Sequence, residues 1–201
     1  MPNTFNLRCA ALAALSALAC AQPALAGSRT SQVTLPCVQG VTCPKPSPCP
    51  NADLTPASGN LAKIERATLC LVNRQRTAHH LAKLHASRPL RAVARKYARQ
   101  MVAQNFFEHV SPAGVTFVQR IEHSSYLQNA AGWALGENLA WGQGSLATPR
   151  AIVRAWMHSP GHRANILDRT YSDAGMGVAL GTPVSGVARG ATYANEFGHR
   201  S

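Results

Sequence analysis

The sequence predicts an α+β domain built of packed helical and sheet layers. Helical apolar periodicity dominates the stretch from residue 60 to residue 122, whereas strand-like alternation comes late, over 174–180 and 191–197. Nor is there the regular exchange of strand and helix that a parallel sheet of βαβ units requires. One further helix signal, near residue 150, runs into a Pro-Gly pair, and polar side chains crowd there.

Taken in order, the folded part begins near Asn60, a residue suited to cap a helix. Leu61, Ile64, Thr68, Leu71 and Val72 recur at helical spacing and predict a first helix to about Ala78. Arg88–Asn105 carries a continuous stripe of Leu90, Val93, Ala94, Tyr97, Ala98, Met101 and Val102. Arg91, Arg95, Lys96 and Arg99 lie off that stripe, so the helix buries one face and solvates the other. Ser111-Pro112-Ala113-Gly114 reads as a turn, and Thr116 with Gln119 as the capping box of a short helix to Glu122. The Gly- and Trp-rich stretch 132–144 suits extended chain. Thr148 and Pro149 then start a helix carrying Ile152, Ala155 and Trp156 to Pro160-Gly161, where a tight reversal is expected. That bend presents His162, Arg163 and Asn165 off a regular helix face.

Ahead of the domain lie two segments of different character. Residues 1–26 read as an export signal: Arg8 is followed by Cys9–Ala21, apolar apart from Ser16, and a small-x-small site ends at Ala26. The apolar run is well short of the ~20 residues that span a bilayer, and no later segment could span one. Leu18-Ala19-Cys20 also resembles a lipidation site, so a cleaved secretory signal and a Cys20-linked lipoprotein both stay open. Residues 27–58 hold six prolines and three cysteines with few large apolar side chains, the composition of a linker. The domain proper is assigned to 59–201. Cleavage after Ala26 leaves Cys37, Cys43, Cys49 and Cys70, an even number suited to disulfides in an oxidising compartment. Among the three pairings, Cys70 with one linker cysteine would staple the tail to the first helix.

The formal charge is +12, and loss of Arg8 leaves 19 basic against 8 acidic residues. An exported protein of this charge is drawn to anionic envelope polymer or lipid head groups, and nucleic acid is not its expected partner. The location is accordingly periplasmic, envelope-associated or extracellular.

Three residues far apart in sequence each sit at a break in regular structure. His109 leaves the second helix beside Phe106 and Phe107; Glu137 lies in Gly136-Glu137-Asn138; His162 follows the Pro-Gly bend. Neutral imidazole offers a lone pair and carboxylate offers charge and orientation, so the set suits a divalent metal or acid–base chemistry. From spacing alone the residues fit better a set in which each satisfies a local hydrogen bond, and a buried polar network that fixes the loops is a further reading. Other constellations are missing. There is no His-Glu-x-x-His, no Gly-x-Ser-x-Gly elbow and no phosphate-binding glycine loop; Cys70, inside a helix, suits a disulfide better than nucleophilic attack.

These residues also form an ordered series. Leu71–Arg76, then Phe107-Glu108-His109-Val110-Ser111-Pro112-Ala113-Gly114, Gly136-Glu137-Asn138-Leu139-Ala140, and Trp156-Met157-His158-Ser159-Pro160-Gly161-His162-Arg163-Ala164-Asn165-Ile166-Leu167 resemble bacterial CAP domains. CAP denotes the cysteine-rich secretory, antigen 5 and pathogenesis-related 1 proteins. The resemblance covers about residues 60–199 and implies a three-layer α-β-α sandwich with a central cleft. By that resemblance His109 and His162 are the cleft histidines and Glu137 one of two cleft acids. Asn138, Arg163 and Glu196 are the remaining expected cleft residues. Larger members place a glutamate where this chain has Ser159; Glu196, Asp168 or Asp173 could supply the missing acid. The resemblance further implies zinc or another divalent cation, or a small hydrophobic or lipid ligand, in the cleft. It favours a non-catalytic binding protein, with a secreted hydrolase using His109, Glu137 and His162, or a structural wall module, as alternatives.

Overall fold

The computed structural model of the chain describes residues 49–187 and 189–201. The export signal, Cys20, Cys37 and Cys43 lie outside the described residues. In chain order the elements are α1 (Leu61–Ala78), β1 (His85–Ala86), α2 (Arg88–Gln104), α3 (Phe117–Glu122), β2 (Trp133–Gln143), α4 (Pro149–His158), α5 (Pro160–Leu167), β3 (Asp173–Leu180) and β4 (Gly190–Arg200). The sheet runs β1-β3-β4-β2, with β1 parallel to β3 and the other pairings antiparallel. A mixed four-stranded sheet thus lies between helices on both faces, the α+β sandwich expected.

Each face has its own core. On one side α1, α4 and α5 bury Ile64, Leu71, Val72, Trp156 and Ile166 against Met176, Val178, Tyr193 and Phe197. On the other, the α2 stripe packs Ala94, Tyr97, Ala98 and Met101 against Leu139, Ala179 and Ala194. Glycine permits that second contact. A Cβ at Gly175 would lie 2.2 Å from the α2 backbone at Leu90–Arg91, and one at Gly177 equally close at Ala94–Arg95. Such proximity is open only to residues without a side chain.

Local chemistry sets the helix ends. The Ser87 side chain accepts from the Leu90 amide, and Asn105 closes α2 in the left-handed region at φ 51°. The Thr116–Gln119 capping box starts α3 as expected. Asn60 precedes α1 but does not cap it: its side chain turns back to the Ala57 amide and the Thr55 carbonyl. Arg76, 1% exposed, ends its helix by donating to the carbonyls of Ala82, Ile166, Asp168 and Tyr171. One guanidinium therefore ties α1 to the chain entering β3.

The expected reversal at Pro160-Gly161 does not occur. A single extended residue, Ser159 (φ −100°, ψ 118°), breaks the helix, and Pro160 is already the first residue of α5. Proline lacks only the amide hydrogen that a first-turn residue leaves free, so it begins a helix as readily as it ends one. His162 and Arg163 consequently sit on a helix. Two strands run longer than alternation alone suggested, because β4 ends in Gly198-His199-Arg200 paired with Trp133–Leu135. The two-residue β1 has no periodicity to announce it.

Residues 49–58 pack on this body. Cys49 is disulfide-bonded to Cys70 of α1, Ala52 is buried, and Arg150 donates to the Ala52 carbonyl and pairs with Asp53. Closing a loop of this length removes about 3 kcal/mol of unfolded-state entropy on the chain model. Replacing Gly177 by Ala should cost about 1–3 kcal/mol or more, because α2 must move off the sheet. Urea unfolding reads this directly, and an unchanged midpoint would show that α2 does not rely on the close approach.

Candidate functional site

The site lies along β2, the outer strand of the sheet, where the loop after α2 meets the start of α5. The Glu137 side chain is completely buried, yet both its oxygens are occupied. Oε1 meets His109 Nδ1 at 2.7 Å and Oε2 accepts from Arg120 at 2.6 Å. Arg120, only 10% exposed, also donates to the His109 and Val115 carbonyls, and its guanidinium stacks 3.2 Å above the Tyr97 ring. Tyr97 donates to the Glu108 carbonyl at 2.6 Å, and burial pushes its phenol up to about 12. The loop that carries His109 is thereby clamped from α2 and α3 together.

Because a carboxylate oxygen can only accept, the hydrogen of the His109–Glu137 contact belongs to Nδ1. That leaves the lone pair of a neutral His109 on Nε2, and the His109 side chain is about half exposed (52%). His162 comes from the first turn of α5. Desolvation, then the neighbouring His109, holds its imidazole below the ordinary 6.5, so it is uncharged at neutral pH. Its Nδ1 is buried without a hydrogen-bond partner.

An amide network locks α5 to β2. The Asn138 side chain donates to the His162 carbonyl at 3.0 Å, and the Asn165 amide donates to the Glu137 carbonyl and to Asn138 Oδ1. Glu196 lies opposite Glu137 in the β2–β4 register and is fully buried, with neither oxygen hydrogen-bonded. Like charges facing each other across strands repel. Burial first, and the Glu137 charge next, push the Glu196 carboxyl well above its ordinary 4.5. Its neutral form is thereby favoured, and with no exposed surface it is sealed rather than ligand-facing.

His109, Glu137, Asn138, His162 and Glu196 thus converge. Arg163 points elsewhere, its guanidinium 3.1 Å from His79 beyond the end of α1. Of the other candidate acids, Asp168 accepts from the Thr170 amide and Asp173 from the Tyr126 hydroxyl. Arg120 was not anticipated. A basic residue on a short helix has no signature in sequence, although the capping box that orients α3 was visible.

The donor set decides how a cation fits. Among the described residues no three His, Cys, Asp or Glu side chains converge as a metal cage. Glu137 is engaged on both oxygens, so it suits orienting His109 rather than binding metal. The two imidazoles, one oriented by carboxylate and one uncharged with an orphaned nitrogen, suit an open two-nitrogen site. Nothing in the arrangement presents an activated nucleophile.

Two substitutions test the buried charges. Arg120→Leu strands the Glu137 carboxylate and should cost about 3–5 kcal/mol in urea unfolding; a loss near zero would contradict the pairing. Glu196 keeps its proton folded and releases it unfolded, so the native state binds more protons above the ordinary carboxylate value. The stability contributed by Glu196 should therefore fall as pH rises above 4.5. Glu196→Gln should flatten that slope, and parallel pH curves would refute the assignment.

Known proteins share this chain's pattern. It is 32% identical over 123 residues to YkwD of Bacillus subtilis (strain 168), covering 61% of this chain and 45% of that protein. It is 34% identical over 116 residues to the membrane protein YlbC of the same strain, covering 57% and 31%. The match therefore spans less than half of either relative. Among solved structures, an extracellular SCP-domain protein of Bacillus anthracis aligns with a TM-score of 0.54 at 26% identity, over 71% of this chain and 43% of that one. An outer surface protein of Borrelia burgdorferi shares the fold, with a TM-score of 0.55 at 23% identity over 66% and 90%. With residues 69–189 matching the CAP, or cysteine-rich secretory protein, family, the chain belongs to that family.

Proposed function

We propose that this is an exported CAP-domain binding protein whose cleft takes a divalent cation on His109 and His162. The observation that carries the reading is the Glu137–His109 contact at 2.7 Å. It fixes the imidazole so that Nε2 offers its lone pair, as outer carboxylates do for metal-bound histidines. His162 supplies a second neutral nitrogen. With two protein donors, the remaining coordination positions fall to water or to a polar group of a ligand, and the cation would act as a Lewis acid holding it.

Export is supported by the signal-like residues 1–26, a disulfide in the folded body, and similarity to extracellular and outer-surface proteins. Among the described residues no helix is long and apolar enough to cross a membrane. The net positive charge suits residence near anionic polymer or lipid at the envelope.

A hydrolase is the second reading, and the same contact supports it: a carboxylate-oriented imidazole can accept a proton from water. Against it stands the full engagement of Glu137, whose two oxygens are both taken by His109 and Arg120.

Zinc should raise the melting temperature of the mature protein by a few degrees, since a hundredfold excess over Kd stabilises by about 2.7 kcal/mol. His109→Ala and His162→Ala should each abolish the rise. An equal rise in both variants would remove the cleft from consideration. Turnover of a peptide or ester substrate that is lost in Glu137→Gln, with the fold intact, would replace this reading with the hydrolase.

A further inference from the structure

A second cavity, of about 520 Å³, opens between α2, the 111–115 turn and α3. It lies outside the histidine cleft but shares Tyr97 and Arg120 with the cleft's supporting wall. We propose that this cavity binds a small carboxylate carrying a compact apolar body, held by Lys96 over Val93, Tyr97, Ala113 and Val115.

Its size falls within the range of small-molecule sites, roughly 300–1,000 Å³. Its chemistry is sided. Val93, Tyr97, Ala113 and Val115 supply apolar wall, whereas Lys96, Arg120 and His123 supply basic nitrogen. No acidic side chain lines it among the described residues. Lys96 has no ion-pair or hydrogen-bond partner there, unlike Arg95 beside it, whose Nε donates to Glu65 at 2.6 Å. Arg120 is turned inward, with one nitrogen on Glu137, another on two carbonyls and its Nε sealed from solvent, so Lys96 is the cation free to meet a guest. An unpaired lysine over an apolar wall with no facing acid gives this cavity an uncompensated positive charge. An anion gains a charge-assisted contact with Lys96, a neutral acceptor gains only an ordinary hydrogen bond, and a cation is repelled.

Ligand and wall are therefore matched in both polarity and sign. The geometry also gives the cavity a link to the cleft, because Arg120 stands between them with Glu137 on its far side.

The test is titration of the mature, isotopically labelled protein with 2-naphthoate and, in parallel, with its uncharged isostere 2-naphthamide. Naphthoate should move the amide resonances of Val93, Tyr97 and Val115 saturably. Naphthamide should bind about tenfold more weakly or worse, the usual effect of losing a charge-assisted contact. Lys96→Gln, an exposed substitution that leaves the fold undisturbed, should weaken naphthoate to a similar degree, and Ala113→Trp should fill the cavity and remove the response. Equal binding of acid and amide would overturn the anion requirement. No saturable shift, or a response unchanged in Ala113→Trp, would overturn the site. Because Lys96 and Ala113 do not touch His109 or His162, failure here leaves the cation reading standing, and the reverse holds.

Discussion

A carboxylate with no exposed surface governs the cleft. Glu137 sits in the middle of the outer strand, and an isolated charge so placed would cost several kcal/mol in lost hydration. Its position is tenable because Arg120 and His109 each take one oxygen, and because burial favours the neutral form of Glu196 opposite. Those demands set the surroundings. Arg120 must be delivered by α3, so α3 needs its capping box; His109 must be delivered by the loop after α2, so that loop is held by Tyr97 and Arg120. The imidazole orientation on which the proposed function rests is a consequence of satisfying one buried charge.

The same arrangement depends on how closely α2 lies on the sheet. Gly175 and Gly177 let the helix backbone rest against β3, which brings Tyr97 under the Arg120 guanidinium. On the opposite face Trp156 donates to the Leu139 carbonyl, and Asn138 and Asn165 stitch α5 to β2. Two independently packed faces thus deliver one imidazole each to the strand between them.

Much of this was legible in the residues. The α1 and α2 stripes gave their buried faces, because 3.6-residue periodicity survives wherever a helix covers a sheet. His109, Glu137 and His162 were expected at breaks in regular structure, but only His109 lies in a loop; Glu137 is in the middle of β2 and His162 is in α5. Other features resisted reading for definite reasons. Pro160 marks a helix start or stop with the same chemistry, and only the extended Ser159 distinguishes them. Arg120 and Glu196 acquire their roles through strand register and helix packing, which no local pattern encodes. Arg163 belonged to the same polar run as His162, but adjacent helix positions point about 100° apart, and its partner is His79.

The most direct measurement is the tautomeric state of His109, read from long-range proton–nitrogen correlations of the labelled mature protein at mildly alkaline pH. Glu137 as orienting acceptor predicts the hydrogen on Nδ1 and a free lone pair on Nε2. Substituting Glu137 by Gln should let the populations shift toward the opposite form. Finding the hydrogen on Nε2 in the unmodified protein would contradict the account, since no lone pair would then face the cleft.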